Sequence, residues 1–412
     1  MWFWESSVSK EKQSLRKIAV ITGTRAEYGL LRGLLDEIKS DDALCLRLIV
    51  TGMHLSPEFG STYRLIEQDG YQIDAKVEML LSSDTASGIA RSVGLGVLGF
   101  TDAFEKLKPD VIVVLGDRFE ILSAVQAALF LTIPVAHIHG GELSLGALDD
   151  AIRHSITKMS HLHFTAAESY RSRVIQLGEQ PDRVFNVGAL GLERIKKTRL
   201  LSKEELEKRL DFRLSAPAFL FTYHPETVSL NKAQDDIQQI LSALDLFPNA
   251  KIIMTKANAD EAGRYINQQL QQYADQYPNR IKLFTSMGDL NYLSAMNLVD
   301  VVIGNSSSGI IEAPFFQVAT VNIGGRQDGR LRAASIIDCQ ANVISITHAV
   351  HKALSSDFKN IVKSTVSPYD CDDTAKRIKN YLKKTDAAAL IKKVFYDGEV
   401  QGYEHSEDVC YR

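Results

Sequence analysis

Residues 111–165 read VIVVLGDRFEILSAVQAALFLTIPVAHIHGGELSLGALDDAIRHSITKMSHLHFT. Val111 to Leu115 is an apolar run rich in β-branched residues that stops at Gly116-Asp117-Arg118, and Val135 to Ile138 stops at His139-Gly140-Gly141-Glu142. Both runs read as buried parallel strands, because a strand covered on both faces has no polar alternation. In open α/β sheets the ligand crevice lies beyond the carboxyl ends of the strands. Asp117, Arg118, His139, Glu142 and the following Asp149-Asp150 are therefore expected to share one site.

The same alternation extends outward in both directions. Lys17 to Thr22 is a short strand-like run ended by Gly23-Thr24-Arg25, and leucines at helical spacing follow from Tyr28 to Ile38. A helix beginning at such a turn presents unpaired N–H groups and a positive dipole end, and Arg25 adds a fork of donors suited to phosphate. Further strand and helix patterns continue to Arg209, with Asp211 to Pro217 as a linker. The run Gly94-Leu95-Gly96-Val97-Leu98-Gly99 fits G-x-G-x-x-G, yet it sits inside a helical pattern rather than after a strand, so it is not read as a dinucleotide fingerprint.

A second α/β series begins at Ala218. Its first strand ends in Thr222-Tyr223-His224-Pro225-Glu226, where His224 is placed to meet a phosphate or a sugar hydroxyl. Its fourth strand, Val301 to Gly304, runs into Asn305-Ser306-Ser307-Ser308-Gly309. A strand-to-helix turn of hydroxyl residues offers backbone N–H and Oγ donors together and makes a diphosphate cradle, although one serine of the three also serves as a helix N-cap. Arg326 and Arg330 follow the next strand and are placed to reach the same anion. Asp373 to Lys384 reads as a final helix before a polar tail.

Length and composition fit this division. A chain of 412 residues exceeds one ordinary core, so two domains are expected. The net charge of −4 argues against nucleic acid or an anionic membrane as partner, and no uncharged apolar run reaches membrane-spanning length. Cys45, Cys339, Cys371 and Cys410 are far apart with no C-x-x-C pair, which suits reduced thiols in a cytoplasmic protein. Residues 1–16 lack a signal-peptide pattern and read as a flexible extension.

Five histidines, His137, His139, His154, His161 and His163, crowd the central stretch, but no sulfur ligands or recognised third-ligand spacing accompany them, so no metal is expected. His137 reads as a core residue and His139, at a strand end, as a functional one. Asp117 and the Asp149-Asp150 pair can each be plain helix N-caps. Carboxylates converging from two strand ends and a helix start instead suit proton transfer, with Arg118 holding one carboxylate ionised and a desolvated Glu142 remaining protonated.

Taken together, Gly23-Thr24-Arg25-Ala26-Glu27-Tyr28-Gly29, Gly116-Asp117-Arg118-Phe119-Glu120, His137 to Glu142, Asp149-Asp150-Ala151-Ile152-Arg153-His154 and Gly304 to Gly309 resemble the hydrolysing UDP-N-acetylglucosamine 2-epimerases of sialic-acid-type nonulosonate biosynthesis. The resemblance runs from about Lys17 to about Leu382. It implies an α/β architecture of glycosyltransferase-B type: two Rossmann-like domains over residues 17–210 and 211–372, with the helix at 373–384 returning to the first and a tail at 385–412. It also implies a homodimer or homotetramer acting on a UDP-linked sugar without a cofactor. Ser306, Ser307 and Arg326, with Asn305 in the same turn and help from Arg25, would hold the diphosphate, and Glu312 the ribose. His224 would face phosphate and sugar; Asp117 and Asp149 match catalytic positions, with Arg118 and Asp150 beside them. Where some members carry a glutamate this chain has His139, so that acid–base role falls to His139 itself, to Glu142, or to neither.

The reaction so implied converts UDP-N-acetylglucosamine and water to UDP and N-acetylmannosamine through a 2-acetamidoglucal. The same chemistry on a UDP-2,4-diacetamido-trideoxyhexose, a nucleotide-sugar-binding regulatory protein, and a glycosyltransferase requiring an acceptor are the alternatives.

Overall fold

The computed structural model describes residues 15–81, 85–144, 148–225, 230–257 and 261–398. The extension before Leu15, Glu226, Cys410 and the tail beyond residue 398 lie outside the described residues. Seven strands form the first sheet: β1 (Arg16–Thr22), β2 (Leu44–Thr51), β3 (Ala75–Val77), β4 (Val111–Leu115), β5 (Val135–Ile138), β6 (Leu162–Thr165) and β7 (Val184–Asn186). Six form the second: β8 (Ala218–Thr222), β9 (Lys251–Thr255), β10 (Ile281–Phe284), β11 (Val301–Gly304), β12 (Ala319–Ile323) and β13 (Ile336–Cys339). Every pairing in both is parallel. The orders are β3-β2-β1-β4-β5-β6-β7 and β10-β9-β8-β11-β12-β13, so each sheet reverses direction once, between β1 and β4 and between β8 and β11. These are two Rossmann-like units in the glycosyltransferase-B manner, and each reversal opens a crevice at the strand carboxyl ends.

The continuous apolar runs follow from burial on both faces. In β1, Ile18 and Val20 pack on one side with Leu31, Leu34 and Phe164, whereas Ala19 and Ile21 pack on the other with Phe100, Ile121 and Ile156. Burying each large aliphatic side chain contributes about 1.5–3 kcal/mol, which offsets the cost of holding polar groups at the strand ends. The helix Thr374–Lys384 returns to the first sheet, where Ala375, Ile378 and Leu382 join the Ile18 cluster. Arg16 lies in β1 rather than in an extension, and its Nη1 donates to the Leu382 carbonyl at 2.6 Å.

The helix Ala86–Leu107 contains Gly94, Gly96 and Gly99. A Cβ on Gly96 would lie 2.8 Å from Met79 and Ser123, and one on Gly99 2.8 Å from Val77. Gly96 and Gly99 let the helix pack closely, whereas a Cβ on Gly94 would meet open space. The edge strand β13 and the helices Val343–Leu354 and Ser356–Lys363 have no counterpart among the sequence expectations.

Contacts join the two units across the cleft. Tyr170 Oη and Tyr369 Oη are 2.9 Å apart, the Leu331 amide donates to Tyr170 Oη at 3.1 Å, and Arg194 pairs with Asp289 at 2.8 Å.

Candidate active site

Between β4 and β5 the chain delivers Asp117 and His139 to one place. His139 stands at φ 64°, a left-handed conformation that ordinarily favours glycine. Three contacts hold it there: its amide donates to the Phe164 carbonyl at 2.9 Å, its carbonyl accepts from Arg153 Nη1 at 3.0 Å, and its Nδ1–H donates to Glu142 Oε1 at 2.6 Å. With Nδ1 so occupied, Nε2 is buried and has no protein partner. The left-handed backbone and the Glu142 contact together leave one ring nitrogen buried without a protein partner. Two residues on, Gly141 is at φ 78°, and a Cβ there would collide with the Tyr170 carbonyl.

Arg153 organises the rest. Its side chain is 4% exposed and contacts Asp117 Oδ2 directly, Ser144 Oγ at 3.2 Å and Glu142 Oε2 at 3.7 Å. Arg330 from the second unit also reaches Glu142 Oε2 at 3.7 Å. Burial alone would push Glu142 up, but His139, Arg153 and Arg330 overcome it and hold the carboxyl down at about 2. This corrects the expectation of a protonated Glu142: it is the ionised partner that fixes the His139 tautomer. Asp117 goes the other way. Burial raises its pKa, Arg153 opposes the rise and Asp149 and Glu142 add to it, leaving a carboxylate in contact with a guanidinium yet nearer to neutrality than an ordinary aspartate.

Other expected residues fall as follows. Asp149 lies in the first turn of the helix Leu148–Met159 and is exposed, close enough to bias Asp117 and Arg118 electrostatically. Asp150 accepts from the Ser144 amide at 2.7 Å and lies 3.6 Å from His154, so it closes its own loop. Arg118 does not ion-pair with Asp117. It turns to Glu120, with hydrogen bonds of 2.7 and 3.1 Å, so the carboxylate it holds is that of Glu120, and the guanidinium beside Asp117 is Arg153's. His137 is fully buried, with Nε2 donating to the Gly116 carbonyl at 2.8 Å, as a core histidine should be. Among the described residues no group of three or more His, Cys, Asp or Glu is arranged to hold a metal ion.

Glu27 was passed over in sequence. It is buried against Gly23, whose amide donates to Oε2 at 2.6 Å, while Oε1 has no partner. Burial raises its pKa from 4.5 to about 8, with nearby Glu120 adding to the rise. Since the folded state favours the protonated form, the stability it contributes is fully present below pH 4.5 and is lost as pH rises through about 8. Glu27→Gln should keep the Gly23 hydrogen bond and remove this slope. Between about pH 5 and about pH 9 the variant should gain on the order of a few kcal/mol relative to the parent in urea unfolding; a constant difference would refute the assignment.

The second crevice is built around Asn305. Its side chain bridges β8 and β11, accepting from the His224 amide at 2.7 Å and donating to the His224 carbonyl at 2.8 Å. Its own carbonyl accepts from Arg326 Nη1 at 3.1 Å and Gln327 Nε2 at 2.8 Å. Gly304 before it is at φ 131°, and any Cβ there would overlap the Thr222 carbonyl. Ser306 caps the helix Ser307–Ile311, and its Oγ meets Ser308 Oγ at 2.9 Å, so one of the three serines has the capping role. Burial and the neighbouring Arg326 lower His224 to about 4, keeping a neutral imidazole with a buried, unpartnered Nδ1. Burial raises Glu312 to about 7, and its Oε2 is likewise unpartnered. From the first unit, Arg25 reaches the second at Gly288, the N-cap of the helix Asp289–Leu298: its Nη2 lies 4.0 Å from where a Gly288 Cβ would stand.

Comparison with known proteins places this geometry. Residues 36–383 match the UDP-N-acetylglucosamine 2-epimerase family. The chain is 46% identical over 385 residues to the GDP/UDP-N,N'-diacetylbacillosamine 2-epimerase (hydrolyzing) of Campylobacter jejuni, covering 93% of this chain and 100% of that protein. It is 38% identical to polysialic acid biosynthesis protein P7 of Escherichia coli, covering 93% of this chain and 98% of the relative. In fold it is similar to the UDP-GlcNAc 2-epimerase of Neisseria meningitidis solved bound to UDP-GlcNAc, with a TM-score of 0.77 at 17% identity over 90% of this chain and 100% of that one. The chain belongs to the UDP-N-acetylglucosamine 2-epimerase family and is a hydrolysing 2-epimerase of nucleotide sugars.

Proposed function

We propose that the substrate is a UDP-linked 2-acetamido sugar bound across the cleft, with the sugar against residues 17–210 and the nucleotide against residues 211–372. The observation that carries this reading is Arg330: it follows the strand beside the serine turn and ends 3.7 Å from Glu142, so anion donors of one unit and proton-transfer groups of the other line one space. Asp149, exposed in the first turn of its helix, removes the C2 proton as the C1–O bond to the diphosphate breaks, which forms the glycal. Asn305, Ser306, Ser307 and Arg326 hold the departing diphosphate, where preorganised donors are most effective. Glu312 takes the ribose, and His224, neutral, faces the phosphate–sugar junction. Water then adds at C1, and Asp117 or the His139–Glu142 pair returns a proton to C2.

Two sugars fit this chemistry. The 46% identity to the Campylobacter jejuni protein and the 37% identity to a Legionella pneumophila UDP-N,N'-diacetylbacillosamine 2-epimerase favour a 2,4-diacetamido sugar. The 32% identity to a Neisseria meningitidis UDP-N-acetylglucosamine 2-epimerase supports the 4-hydroxyl sugar as the second reading. Nucleotide release from UDP-N,N'-diacetylbacillosamine, its GDP counterpart and UDP-N-acetylglucosamine, each without an acceptor, separates them. Release from the first at the highest kcat/KM is expected; preference for UDP-N-acetylglucosamine would reverse the order, and no release from any would remove the hydrolytic reading.

A further inference from the structure

The helices Arg25–Lys39 and Leu190–Lys197, with the start of Thr374–Lys384, line a half-open cavity of about 330 Å³ that the reaction above does not use. Its size falls at the lower end of small-molecule sites, about 300–1,000 Å³. Leu190 and Ala375 give it an apolar floor, while Arg32, Arg194 and Lys197 stand against Asp36 and Glu193.

The charges differ in how firmly they are held. Glu193 receives Lys197 Nζ at 2.7 Å and the Ala375 amide at 2.5 Å, and Asp36 accepts from Tyr71 Oη. The two arginines have looser partners. Arg32 pairs with Asp69 at 3.2 Å with side chains 42% and 28% exposed, and Arg194 with Asp289 at 2.8 Å with side chains 29% and 55% exposed. Solvent-exposed pairs of this kind contribute little and exchange readily. Both guanidiniums can therefore turn to an anion inside the cavity, and the two carboxylates remain to accept from hydroxyl groups.

The cavity is connected to the nucleotide crevice by its own walls. Arg25 opens the first lining helix. On the second, a Cβ at Gly191 would lie 3.6 Å from Glu312 Oε1, so this helix has the cavity on one side and the expected ribose-binding carboxylate on the other. Arg194 itself donates to the Gly29 carbonyl at 3.1 Å while holding Asp289 of the second unit.

We infer that this cavity is a regulatory site for a small hydroxylated anion of monosaccharide size, a sugar acid or a sugar phosphate, whose binding draws Arg194 from Asp289 and loosens the nucleotide-bearing unit. Calorimetric titration of the full chain with glucuronate, glucose 6-phosphate and uncharged glucose tests it and distinguishes a carboxylate from a phosphate ligand. One of the two anions should bind and glucose should not, and Arg32→Gln or Arg194→Gln should weaken binding by about tenfold, the scale of one charge-assisted hydrogen bond. The bound anion should weaken UDP by about fivefold, and UDP should weaken the anion by the same factor, as linkage requires. Binding of neither anion, binding indifferent to both substitutions, complete displacement by UDP, or UDP affinity unchanged by the anion would each overturn the inference. The coupling measurement rests on UDP as the nucleotide, whereas the anion titration does not; a chain that binds the anion but no UDP would count against the nucleotide reading alone.

Discussion

Asp149→Asn is expected to lower turnover by about two or more powers of ten, the usual contribution of a positioned acid or base, with folding stability unchanged within about 0.5 kcal/mol. The second half of that statement follows from its surroundings: Asp149 is exposed at the start of its helix. On the proposed reading its carboxylate serves the ligand, so an isosteric amide should remove chemistry without removing structure. Asp117→Asn should lower turnover to a similar degree but also stability, because Asp117 is in direct contact with the buried Arg153. Steady-state nucleotide release and urea unfolding on both variants check the pair of outcomes. Near-normal rates for either would refute its role, and a large stability loss for Asp149→Asn would give it a structural one instead.

The second large effect concerns Arg153. Its guanidinium is buried between Asp117 and Glu142 and also holds the His139 carbonyl. Removing one partner of such a group leaves buried carboxylates without their counter-ion, a change that costs about 3–5 kcal/mol. Arg153→Met should show a loss of that size in urea unfolding. Arg153→Lys should recover only part of it, since one ammonium cannot reproduce a fork that meets a carboxylate and a carbonyl at once. A loss below about 1 kcal/mol for the methionine variant would mean that His139 and Arg330 suffice to neutralise Glu142.

Much of this was legible in the sequence, for identifiable reasons. β4 and β5 were readable to the residue because strands covered on both faces carry largely apolar runs, and these two end abruptly at Gly116 and at His139-Gly140. The convergence of Asp117, His139, Glu142 and Asp149 followed from the rule that parallel strands present their carboxyl ends together. β13 was missed because an edge strand, mostly part-exposed along Ile336–Cys339, has neither a continuous run nor a clean alternation. The return of the last helix to the first sheet came only from the family resemblance; residues Ala375, Ile378 and Leu382 show an apolar face but not which sheet it covers.

The electrostatics of the site were less readable than its membership. Arg118 adjoins Asp117 in sequence, yet at the N-cap of the helix Phe119–Phe130 it turns toward Glu120. Arg153, on another helix, is the residue that reaches Asp117, and its one sequence signal was a charge between the inward-facing Ile152 and Ile156. Glu142 was taken for the protonated member because burial favours neutrality, but the His139 contact and the guanidiniums of Arg153 and Arg330 outweigh it. Such a balance depends on the folded positions of Arg153 and Arg330 and has no local trace.

The central claim is that the first-sheet carboxylates move a proton at C2 while the second sheet holds a departing diphosphate. Turnover of the preferred nucleotide sugar in deuterium oxide, followed by mass and proton spectra of the released sugar, tests it most directly. The account predicts one deuterium at C2 of the epimerised product and UDP as the other product. A released sugar with no deuterium at C2 would contradict it.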